Sequence, residues 1–527
     1  MPTENRKPKT ENRLFHIITF GCKVNQCDSA GMAQTLAALG WSPAAPGTVP
    51  DLIIVNTCTV TQRADQQARQ TLRRLAREHP GLPIWVTGCY AQRTPNEVSS
   101  LPGVQAVFGN QEKAGLSCML ASCQPNQIST SCSLPPLMGE GWGGGENPPP
   151  PSPDSQNLKA VNDHPAGMIN PPLPPFSKGQ DNNPGRSSPP LKKTDLGGFE
   201  MFPPDDVKGS QRWMGTFSAS PPFHPWPVHP APGQTRARLK IQEGCSHRCS
   251  YCIVPQVRGP RRSLEPEAVE SALQELAALG YREVVLTGVD LGQYGLDHYP
   301  PTNLAALVGR LTNRTWPFRV RLSSLEPQMV TPELLEALAA WPNFCPHFHL
   351  PLQSGAAPVL AAMGRPYGPE EFRVLVHNIT RRFPAAGLGL DVLVGFPGET
   401  GADFEATRTL VAELPVTYLH VFPYSPRPGT PAAVLKPLPG KIVRDRARIM
   451  RNLGQQKKQQ FTETQLGQVL EVLVEGPAPQ SGYLQGLSDH YLRVVFPGPP
   501  AWRNRLVKVR LLARQEEMLV GQAVGEP

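Results

Sequence analysis

The sequence predicts an α/β protein with several domains, because two stretches of alternating strands and helices flank a proline-rich segment and a strand-rich region follows. The chain has 527 residues, which suggests three to four domains at roughly 150 residues each. Hydrophobic residues make up 39% of it, enough for globular cores, and no apolar run reaches the ~20 residues of a membrane span. The polar N-terminus shows no secretory signal, so we expect a cytoplasmic protein without a membrane partner.

An N-terminal Rossmann-like α/β domain is expected over residues 13–115. Runs of strand length rich in β-branched residues occur at 16–20, 52–55 and 84–87. Cys22, Cys58 and Cys89 each follow one of these strands. Since the carboxyl ends of parallel strands share one edge, the three thiols are predicted to converge there. Such a trio fits an iron–sulfur cluster with one open iron, or a thiol redox centre.

A disordered insertion is expected over residues 116–232. About a third of residues 131–230 are proline or glycine, and they follow neither a helical nor a strand period. A proline-rich ligand for aromatic-grooved modules is the alternative interpretation. The insertion would divide the chain into two folded parts.

A central partial (β/α)6 barrel is expected over residues 233–462. Strand candidates at 238–241, 283–287, 318–322, 347–351, 387–394 and 417–421 alternate with helical patterns. In such barrels the chemistry lies at the carboxyl ends of the strands. Polar clusters at those ends could bind a ribose, an amino group and a carboxylate, and they include Thr287, Gly288, Ser323, Glu326, Gln353 and Gly395.

The strongest motif is a C-x3-C-x2-C run formed by Cys245, Cys249 and Cys252. A tight loop with this spacing can direct three thiolates at three corners of a 4Fe–4S cube, which leaves the fourth iron open to a small molecule. Zinc sites usually have four protein ligands at other spacings, so zinc is the weaker alternative. Tyr251, between two of the cysteines, is expected to pack beside the cluster or beside adenine.

Residues 463–527 predict a small antiparallel β-barrel, because short alternating strands are separated by glycine and proline. A basic helix over residues 441–460 precedes it and forms either a solvated face or part of an RNA path. Four side chains of the barrel are candidates for stacking on bases: Tyr483, His490, Tyr491 and Trp502.

Taken together, these motifs resemble those of the radical SAM methylthiotransferases. The resemblance lies in Gly-Cys-Lys-Val-Asn-Gln at 21–26 and in the motifs at 56–60, 87–92, 240–259, 286–292, 349–355 and 391–400. Residues 486–494 are similar to the RNA-binding TRAM domain of that family. The resemblance implies a methylthiotransferase domain at the N-terminus, a radical SAM core in the centre and a TRAM domain at the C-terminus.

The same resemblance implies two 4Fe–4S clusters with different tasks. The catalytic cysteines 245, 249 and 252 would hold the cluster that binds S-adenosylmethionine, and Cys22, Cys58 and Cys89 would hold a sulfur-donating cluster. An external one-electron donor would start the cleavage of S-adenosylmethionine to a 5′-deoxyadenosyl radical. In tRNA substrates of this family the carbon to be modified is C2 of an adenine. This carbon is unactivated, so a cofactor must supply the reaction at its C–H bond. The implied S-adenosylmethionine contacts are Tyr251, Thr287, Gly288, Ser323, Glu326, Gln353, Asp391 and Gly395.

Within the family, Lys23 and Val24 and the run at 287–295 are similar to the subgroup that modifies N6-threonylcarbamoyladenosine at C2. This similarity implies a tRNA anticodon stem–loop as the partner. Three alternatives stay open: a methylthiotransferase of isopentenyladenosine in tRNA, one of a ribosomal protein, and a non-catalytic iron–sulfur RNA-binding protein.

Overall fold

The computed structural model describes residues 13–122, 205–207, 210–217, 222–226, 234–516 and 518–526. These residues form an N-terminal sheet domain, a central partial barrel and a small C-terminal barrel. None of the helices in this part of the chain has the length and apolar character that a membrane span requires.

The N-terminal domain is a seven-stranded sheet with helices on its faces. Its strands are β1 (Leu14–Thr19), β2 (Ser42–Pro43), β3 (Leu52–Thr57), β4 (Ile84–Gly88), β5 (Val104–Phe108), β6 (Asp205–Val207) and β7 (Ser210–Trp213). Its helices are α1 (Lys23–Ala38), α2 (Gln62–Glu78), α3 (Cys89–Arg93), α4 (Pro95–Ser99) and α5 (Leu116–Ser122). The strand order is β2-β1-β3-β4-β5-β7-β6, parallel throughout except for β6. The three predicted strands are therefore adjacent and parallel, which confirms the expected α/β domain.

The expected insertion over residues 116–232 is wrong near both of its ends. Helix α5 belongs to the N-terminal domain, and β7 pairs in parallel with β5, with Ala106 opposite Gln211. Trp213 is 2% exposed, and its ring lies 6.0 Å from that of Trp85. The sequence hid this strand because the prolines and glycines around it dominate the composition. The expectation of disorder for residues 123–204 lies outside the described residues.

The central domain contains six parallel barrel strands and a small antiparallel pair. Its strands are β8 (Arg236–Lys240), β9 (Gln242–Glu243), β10 (Arg262–Ser263), β11 (Glu283–Thr287), β12 (Arg319–Leu322), β13 (His347–Gln353), β14 (Gly387–Val394) and β15 (Tyr418–Pro423). Strands β8, β11 and β12 form one sheet, and β13, β14 and β15 form another; a bridge between Val320 and Phe344 connects them. The six predicted barrel strands are confirmed, although the first begins at Arg236 and ends one residue before Ile241.

Helices cover the outside of the barrel and continue to the C-terminal domain. They are α6 (Val254–Arg258), α7 (Pro266–Ala278), α8 (Leu304–Thr312), α9 (Pro332–Ala339), α10 (Ala357–Ala362), α11 (Pro369–Arg382), α12 (Gly401–Glu413) and α13 (Gly440–Thr464). Short 3-10 helices occur at Glu112–Gly115, Leu291–Gln293, Pro327–Met329, Pro431–Val434 and Pro500–Trp502. Helix α13 is the predicted basic helix and is longer than expected.

Alternation along the barrel strands separates an apolar outer face from a polar inner face. Side chains such as Leu239, Val284 and Leu390 pack with the helices in the largest hydrophobic core. The residues between them point to the inside of the barrel, here called the lumen. The lumen-facing polar residues include Arg236, Arg238, Lys240, Glu283, Arg319, Arg321, His347, His349, Asp391, Tyr418 and His420. Barrels of this kind usually fill the lumen with branched apolar side chains, so the polar lumen is unusual.

The C-terminal domain is a closed five-stranded barrel. Its strands are β16 (Val469–Pro477), β17 (Tyr483–Ser488), β18 (Arg493–Pro497), β19 (Leu506–Gln515) and β20 (Met518–Ala523). The order around the barrel is β16-β17-β18-β20-β19, and the pairing is antiparallel except between β18 and β20. The predicted small barrel is confirmed, with one parallel pair that the sequence did not indicate.

The C-terminal barrel contacts the central barrel through buried charges. Arg319 and Arg321 both pair with Glu283, at 2.7 Å and 3.0 Å. Their remaining N–H groups donate to backbone carbonyls of the C-terminal barrel, including those of Leu487 and Asp489. Glu283 is fully buried, and although burial opposes its charge, the two arginines lower its pKa to about 2.

Replacing Glu283 with Gln should lower the free energy of unfolding by about 3 kcal/mol, because two buried guanidinium groups lose their counter-ion. Urea denaturation followed by circular dichroism measures the change. The control is Glu336→Gln, which removes an exposed pair with Arg382 and should leave stability unchanged. Equal losses in the two variants would contradict the prediction.

Candidate functional site

The N-terminal cysteines meet at the carboxyl edge of the sheet. Cys22 immediately precedes α1, Cys58 follows β3, and Cys89 is the first residue of α3. Cys58 and Cys89 are buried, whereas Cys22 is open. Gly21 has a φ of 97°, and a Cβ atom there would lie 2.7 Å from the Cβ of Cys58, so only glycine fits. The structure thus brings together the three thiols that the sequence predicted to converge.

The second trio lies in the loop between β9 and α6. Cys245, Cys249 and Cys252 are each half-buried. The loop is folded tightly: the N–H of Cys252 donates to the carbonyl of Cys249, and that of Cys245 donates to the carbonyl of Gly259. The backbone turn at Gly244 has a φ of 71° and leaves no room for a Cβ atom. The loop therefore holds its three thiols close to one another.

The thiols of neither trio are as close together as the ligands of a single zinc ion. Thiolates around one tetrahedral zinc ion lie about 3.8 Å apart, as Zn–S bonds of about 2.3 Å require. In the described part of the chain, neither cysteine trio has all its sulfurs within 4.8 Å of one another. Burial raises the pKa of Cys58 and of Cys252 to about 12, so binding a cluster must displace their protons.

Two predicted ligand-binding residues offer unpaired hydroxyl groups. Thr287 ends β11 and Ser323 follows β12; both are buried, and neither hydroxyl has a hydrogen-bond partner. Gly288 lies against Gln242, whose side chain would be 2.7 Å from an added Cβ atom. Buried polar groups are rarely left unpaired, so these hydroxyls suit the polar atoms of a small ligand.

Glu326 and Tyr251 lie beside the central cysteines. Glu326 forms a salt bridge with Arg365, and Arg365 also donates to the Sγ of Cys249 at 3.3 Å. Burial raises the pKa of Glu326 although Arg365 opposes the shift. Tyr251 packs against a small apolar cluster that includes Phe396, and burial raises its pKa.

The other three predicted ligand-binding residues lie in different places. Gln353 ends β13 with a φ of 63°. Gly395 follows β14, where its N–H donates to Glu399 and an added Cβ atom would meet Val443 of α13. Asp391 lies deeper, three residues before the end of β14. The structure therefore places Gly395 against α13 and Asp391 in the lumen.

Asp391 is held between two histidines. Its Oδ1 lies 2.8 Å from the Nε2 of His349 and 3.3 Å from the Nδ1 of His420. Burial opposes its charge, but hydrogen bonds from the two imidazoles lower the pKa of Asp391 to about 2. His420 is half-exposed and borders a cavity of about 430 Å³, which is also lined by Arg236, Tyr418, Arg451, Lys458, Tyr491 and Arg493.

Sequence reasoning assigned no role to Arg258, although it lies in the motif at 240–259, and this residue joins Cys89 to the central domain. It ends α6, six residues after Cys252, and is buried. Its Nε lies 3.3 Å from the Sγ of Cys89, and its other N–H groups donate to Asn25, Asp28 and Glu243. Cys89 also packs against Ile253 and Val257 of the segment that follows the central cysteines. The motif contains Arg258 but does not show its contacts, because most of its partners lie more than 150 residues away.

Two lysines complete this network of buried charges. Lys113 lies 2.8 Å from Asp28, and Lys240 lies 2.7 Å from Asp28 and 2.8 Å from Glu243. Burial opposes the charge of Asp28, but Lys113, Lys240 and Arg258 hold its pKa well below the usual value. Asp28 and Lys113 come from the N-terminal domain and the other members from the barrel, so the network joins the two.

Lys23, the first residue of α1, is also connected with the barrel. Burial and the charges of Arg321, Arg236 and Arg238 lower its pKa to about 8. Cys27, one helical turn later on α1, has its Sγ 3.8 Å from the carbonyl oxygen of Arg238, so this part of the N-terminal domain lies against β8.

Two further cysteines, Cys27 and Cys118, lie in helices of the N-terminal domain. The buried Cys27 of α1 has its Sγ 3.8 Å from the carbonyl of Arg238. Cys118 of α5, which the sequence did not connect with any disulfide, is disulfide-bonded.

Comparison with known proteins gives matches to both parts of this site. Residues 14–109 match the model of uncharacterized protein family UPF0004, and residues 239–411 match that of the radical SAM superfamily. The chain is 31% identical, over 94% of its length and 93% of the relative's, to threonylcarbamoyladenosine tRNA methylthiotransferase MtaB of Bacillus subtilis strain 168. It is also 31% identical, over 97% of its length and 98% of the relative's, to tRNA-2-methylthio-N(6)-dimethylallyladenosine synthase of Moorella thermoacetica.

Among solved structures, the radical S-adenosylmethionine methyltransferase TsrM of Kitasatospora setae is similar. The TM-score is 0.51 at 14% identity, over 80% of this chain and 77% of that one. At this identity the likeness supports the fold alone.

Replacing Arg258 with Met should lower the free energy of unfolding by about 3 kcal/mol, because buried acceptors on both domains lose charged hydrogen bonds. Thermal and urea denaturation measure the loss. Arg258→Lys keeps the charge and should recover part of it. A Met variant as stable as the parent protein would show that the network does not hold the domains together.

Proposed function

The chain belongs to the radical SAM methylthiotransferases, enzymes that modify tRNA, and we propose that it adds a methylthio group to C2 of N6-threonylcarbamoyladenosine beside the anticodon. It uses S-adenosylmethionine and two 4Fe–4S clusters. The proposal adds the substrate and assigns roles to individual residues.

The observation that carries the proposal is the proximity of the two cysteine trios. Cys89 of the first trio packs against Ile253, which directly follows Cys252 of the second. We assign Cys245, Cys249 and Cys252 to the cluster that binds S-adenosylmethionine, and Cys22, Cys58 and Cys89 to the other. When bound, the clusters and S-adenosylmethionine supply the electron transfer, the carbon radical and the methylthio group that no side chain can supply.

The remaining residues of the site would bind S-adenosylmethionine or hold the cysteine loop in position. The unpaired hydroxyls of Thr287 and Ser323 would bind polar atoms of S-adenosylmethionine. Glu326 orients Arg365 beside Cys249, and Asp290 lies 3.0 Å from His247 in the cysteine loop. The hydrogen bond to Asp290 raises the pKa of His247. These charged pairs fix the loop, and the apolar side chains of Ile253 and Val257 exclude water from the space between the trios.

We propose that the tRNA anticodon stem–loop binds along α13 and the C-terminal barrel. The cavity of about 430 Å³ between them is lined by Arg451 and Lys458 of α13 and by Arg493 of the barrel. Positive side chains along such a groove attract phosphates without reading sequence. Tyr491 stacks on His347 with ring centroids 4.4 Å apart, so this predicted base-stacking side chain already packs against the central barrel.

The reaction consumes an electron, so an electron donor outside this chain is also proposed.

Relatives with two different substrates are equally similar, so identity alone does not select the nucleoside. Support for threonylcarbamoyladenosine comes from Lys23 and Val24 after the first cysteine and from the run at 287–295, which resemble that subgroup. Lys23 lies one helical turn before Cys27, which contacts the backbone of Arg238, and cations in this region suit a substituent with a carboxylate better than an apolar one.

Iron counting tests the two clusters. After anaerobic reconstitution the protein should contain roughly eight irons, and Cys58→Ala and Cys249→Ala should each contain about four. The matched control is Cys27→Ala, which removes another buried thiol of the same region and should keep all the iron.

The reduced Cys58→Ala protein should still release 5′-deoxyadenosine from S-adenosylmethionine, and Cys249→Ala should not. A non-catalytic iron–sulfur RNA-binding protein would release none in any variant.

Nucleoside analysis tests the substrate. In a strain that lacks this gene, mass spectrometry of digested tRNA should show loss of the methylthio form of threonylcarbamoyladenosine only. Loss of the methylthio form of dimethylallyladenosine instead would assign the other tRNA substrate, and unchanged tRNA would favour a ribosomal protein.

A further inference from the structure

The partners of the lumen cations show which of them are free to bind a ligand. Lys240 pairs with Asp28 and Glu243, and Arg319 and Arg321 pair with Glu283. Arg236 pairs with Glu475 at 2.9 Å. All these cations therefore have a carboxylate as counter-ion.

Lys23 and Arg238, in contrast, have no carboxylate as a salt-bridge partner in the described part of the chain. Arg238 donates at 2.7 Å to the amide oxygen of Gln234, a neutral group. Within the described ranges, Lys23 has no hydrogen bond and no salt bridge, and Arg238 has no salt bridge. Cys27, one helical turn after Lys23 on α1, has its Sγ 3.8 Å from the carbonyl oxygen of Arg238, so this part of α1 lies against β8. The side chains of Lys23 and Arg238 are both partly buried. Positive charge concentrated at low exposure attracts anions, so this part of the lumen is suited to bind one.

The depth of Arg238 matches a position below the cysteine loop. Lys240 and Thr287 are opposite each other at the carboxyl ends of β8 and β11. Arg238 comes two residues earlier on the same face of β8, which is about 6.6 Å deeper at 3.3 Å per residue. A group attached to an adenine at the carboxyl ends of the strands would reach this level if it extends into the lumen.

We propose that Lys23 and Arg238 form a binding site for the carboxylate of the N6 substituent, and that this site selects threonylcarbamoyladenosine over dimethylallyladenosine. The inference rests on the proposed function. A threonyl group attached through a carbamoyl carries a carboxylate, and a dimethylallyl group carries no charge. A site of this kind rejects the uncharged analogue because two desolvated cations would stay unpaired.

The site is built from both domains, since Lys23 is on α1 and Arg238 is on β8. Docking of the N-terminal domain would therefore complete the substrate pocket as well as bring the two cysteine trios together. The half-exposed His420, held by Asp391, lies further along the same polar face.

The test uses the reconstituted enzyme and three synthetic anticodon stem–loops. The first carries threonylcarbamoyladenosine, the second carries the same nucleoside with the carboxylate replaced by a carboxamide, and the third carries dimethylallyladenosine. We expect the parent enzyme to prefer the carboxylate over the carboxamide in kcat/KM by roughly tenfold or more, the size of a charged hydrogen bond.

Lys23→Met and Arg238→Met should each reduce this preference toward unity by slowing the reaction of the carboxylate RNA and leaving that of the carboxamide RNA unchanged. Lys23→Arg should retain the preference. Binding of each RNA without S-adenosylmethionine, measured by fluorescence anisotropy, should change in the same way. Lys441→Met, which removes an exposed cation of α13, is the control and should affect all RNAs alike. Iron content is measured for every variant, and Arg238→Met keeps the test decisive if Lys23→Met disturbs Cys22.

Several outcomes would overturn the inference. Equal slowing of the carboxylate and carboxamide RNAs in both Met variants would indicate a structural role only. A parent enzyme that modifies these two RNAs equally well would refute carboxylate recognition and leave the proposed function intact. A parent enzyme that modifies only the dimethylallyl RNA would refute the proposed function itself.

Discussion

The pairing of Arg258 with Asp28 and Glu243 is the interaction on which the rest of the site depends. Buried charges are costly unless they are paired, and Asp28 lies in one domain while Glu243 and Arg258 lie in the other. Asp28 has a partner in its own domain, Lys113, and Arg258 has one in Glu243, so docking adds further partners to charges that each domain pairs only in part. Because Arg258 also contacts Cys89 and Glu243 lies two residues before Cys245, the same network links the segments that carry the two cysteine trios.

The opposite end of the barrel follows the same principle. Glu283 gathers Arg319 and Arg321, and these arginines extend to backbone carbonyls of the C-terminal barrel. This contact uses side chains from the inner face of the barrel strands, and the first network includes Lys240 from the same face, which other barrels fill with apolar groups. The lumen has therefore become an interface lined with charge, and its stability comes from the neighbouring domains as much as from its own strands.

In this arrangement the residues that hold the clusters differ from those that we propose select the substrate. Two relatives that act on different modified adenosines are equally similar to the chain, so the differences that set the substrate need not involve the cysteines. Reaction at C2 requires the same clusters in either case, whereas the N6 substituent differs in charge. A polar lumen with cations that lack counter-ions provides a physical basis for such a difference, and it lies one layer below the loop that holds the central cysteines.

The sequence by itself determined the elements whose evidence is local. Strand and helix periods predicted the parallel N-terminal sheet, the six barrel strands and the small C-terminal barrel, and the placing of Cys22, Cys58 and Cys89 after successive strands predicted their convergence. It also located Thr287, Ser323 and Glu326 at the carboxyl ends of the barrel strands, because such ends follow from the strand pattern. Only the tertiary structure decided the interactions that join distant segments. β7 adds to the first sheet across more than 100 residues, Arg258 contacts Cys89, and Cys27 of α1 contacts the backbone of Arg238 in another domain. Periodicity reports which face of an element is buried, but it carries no information about which distant charge will lie against that face.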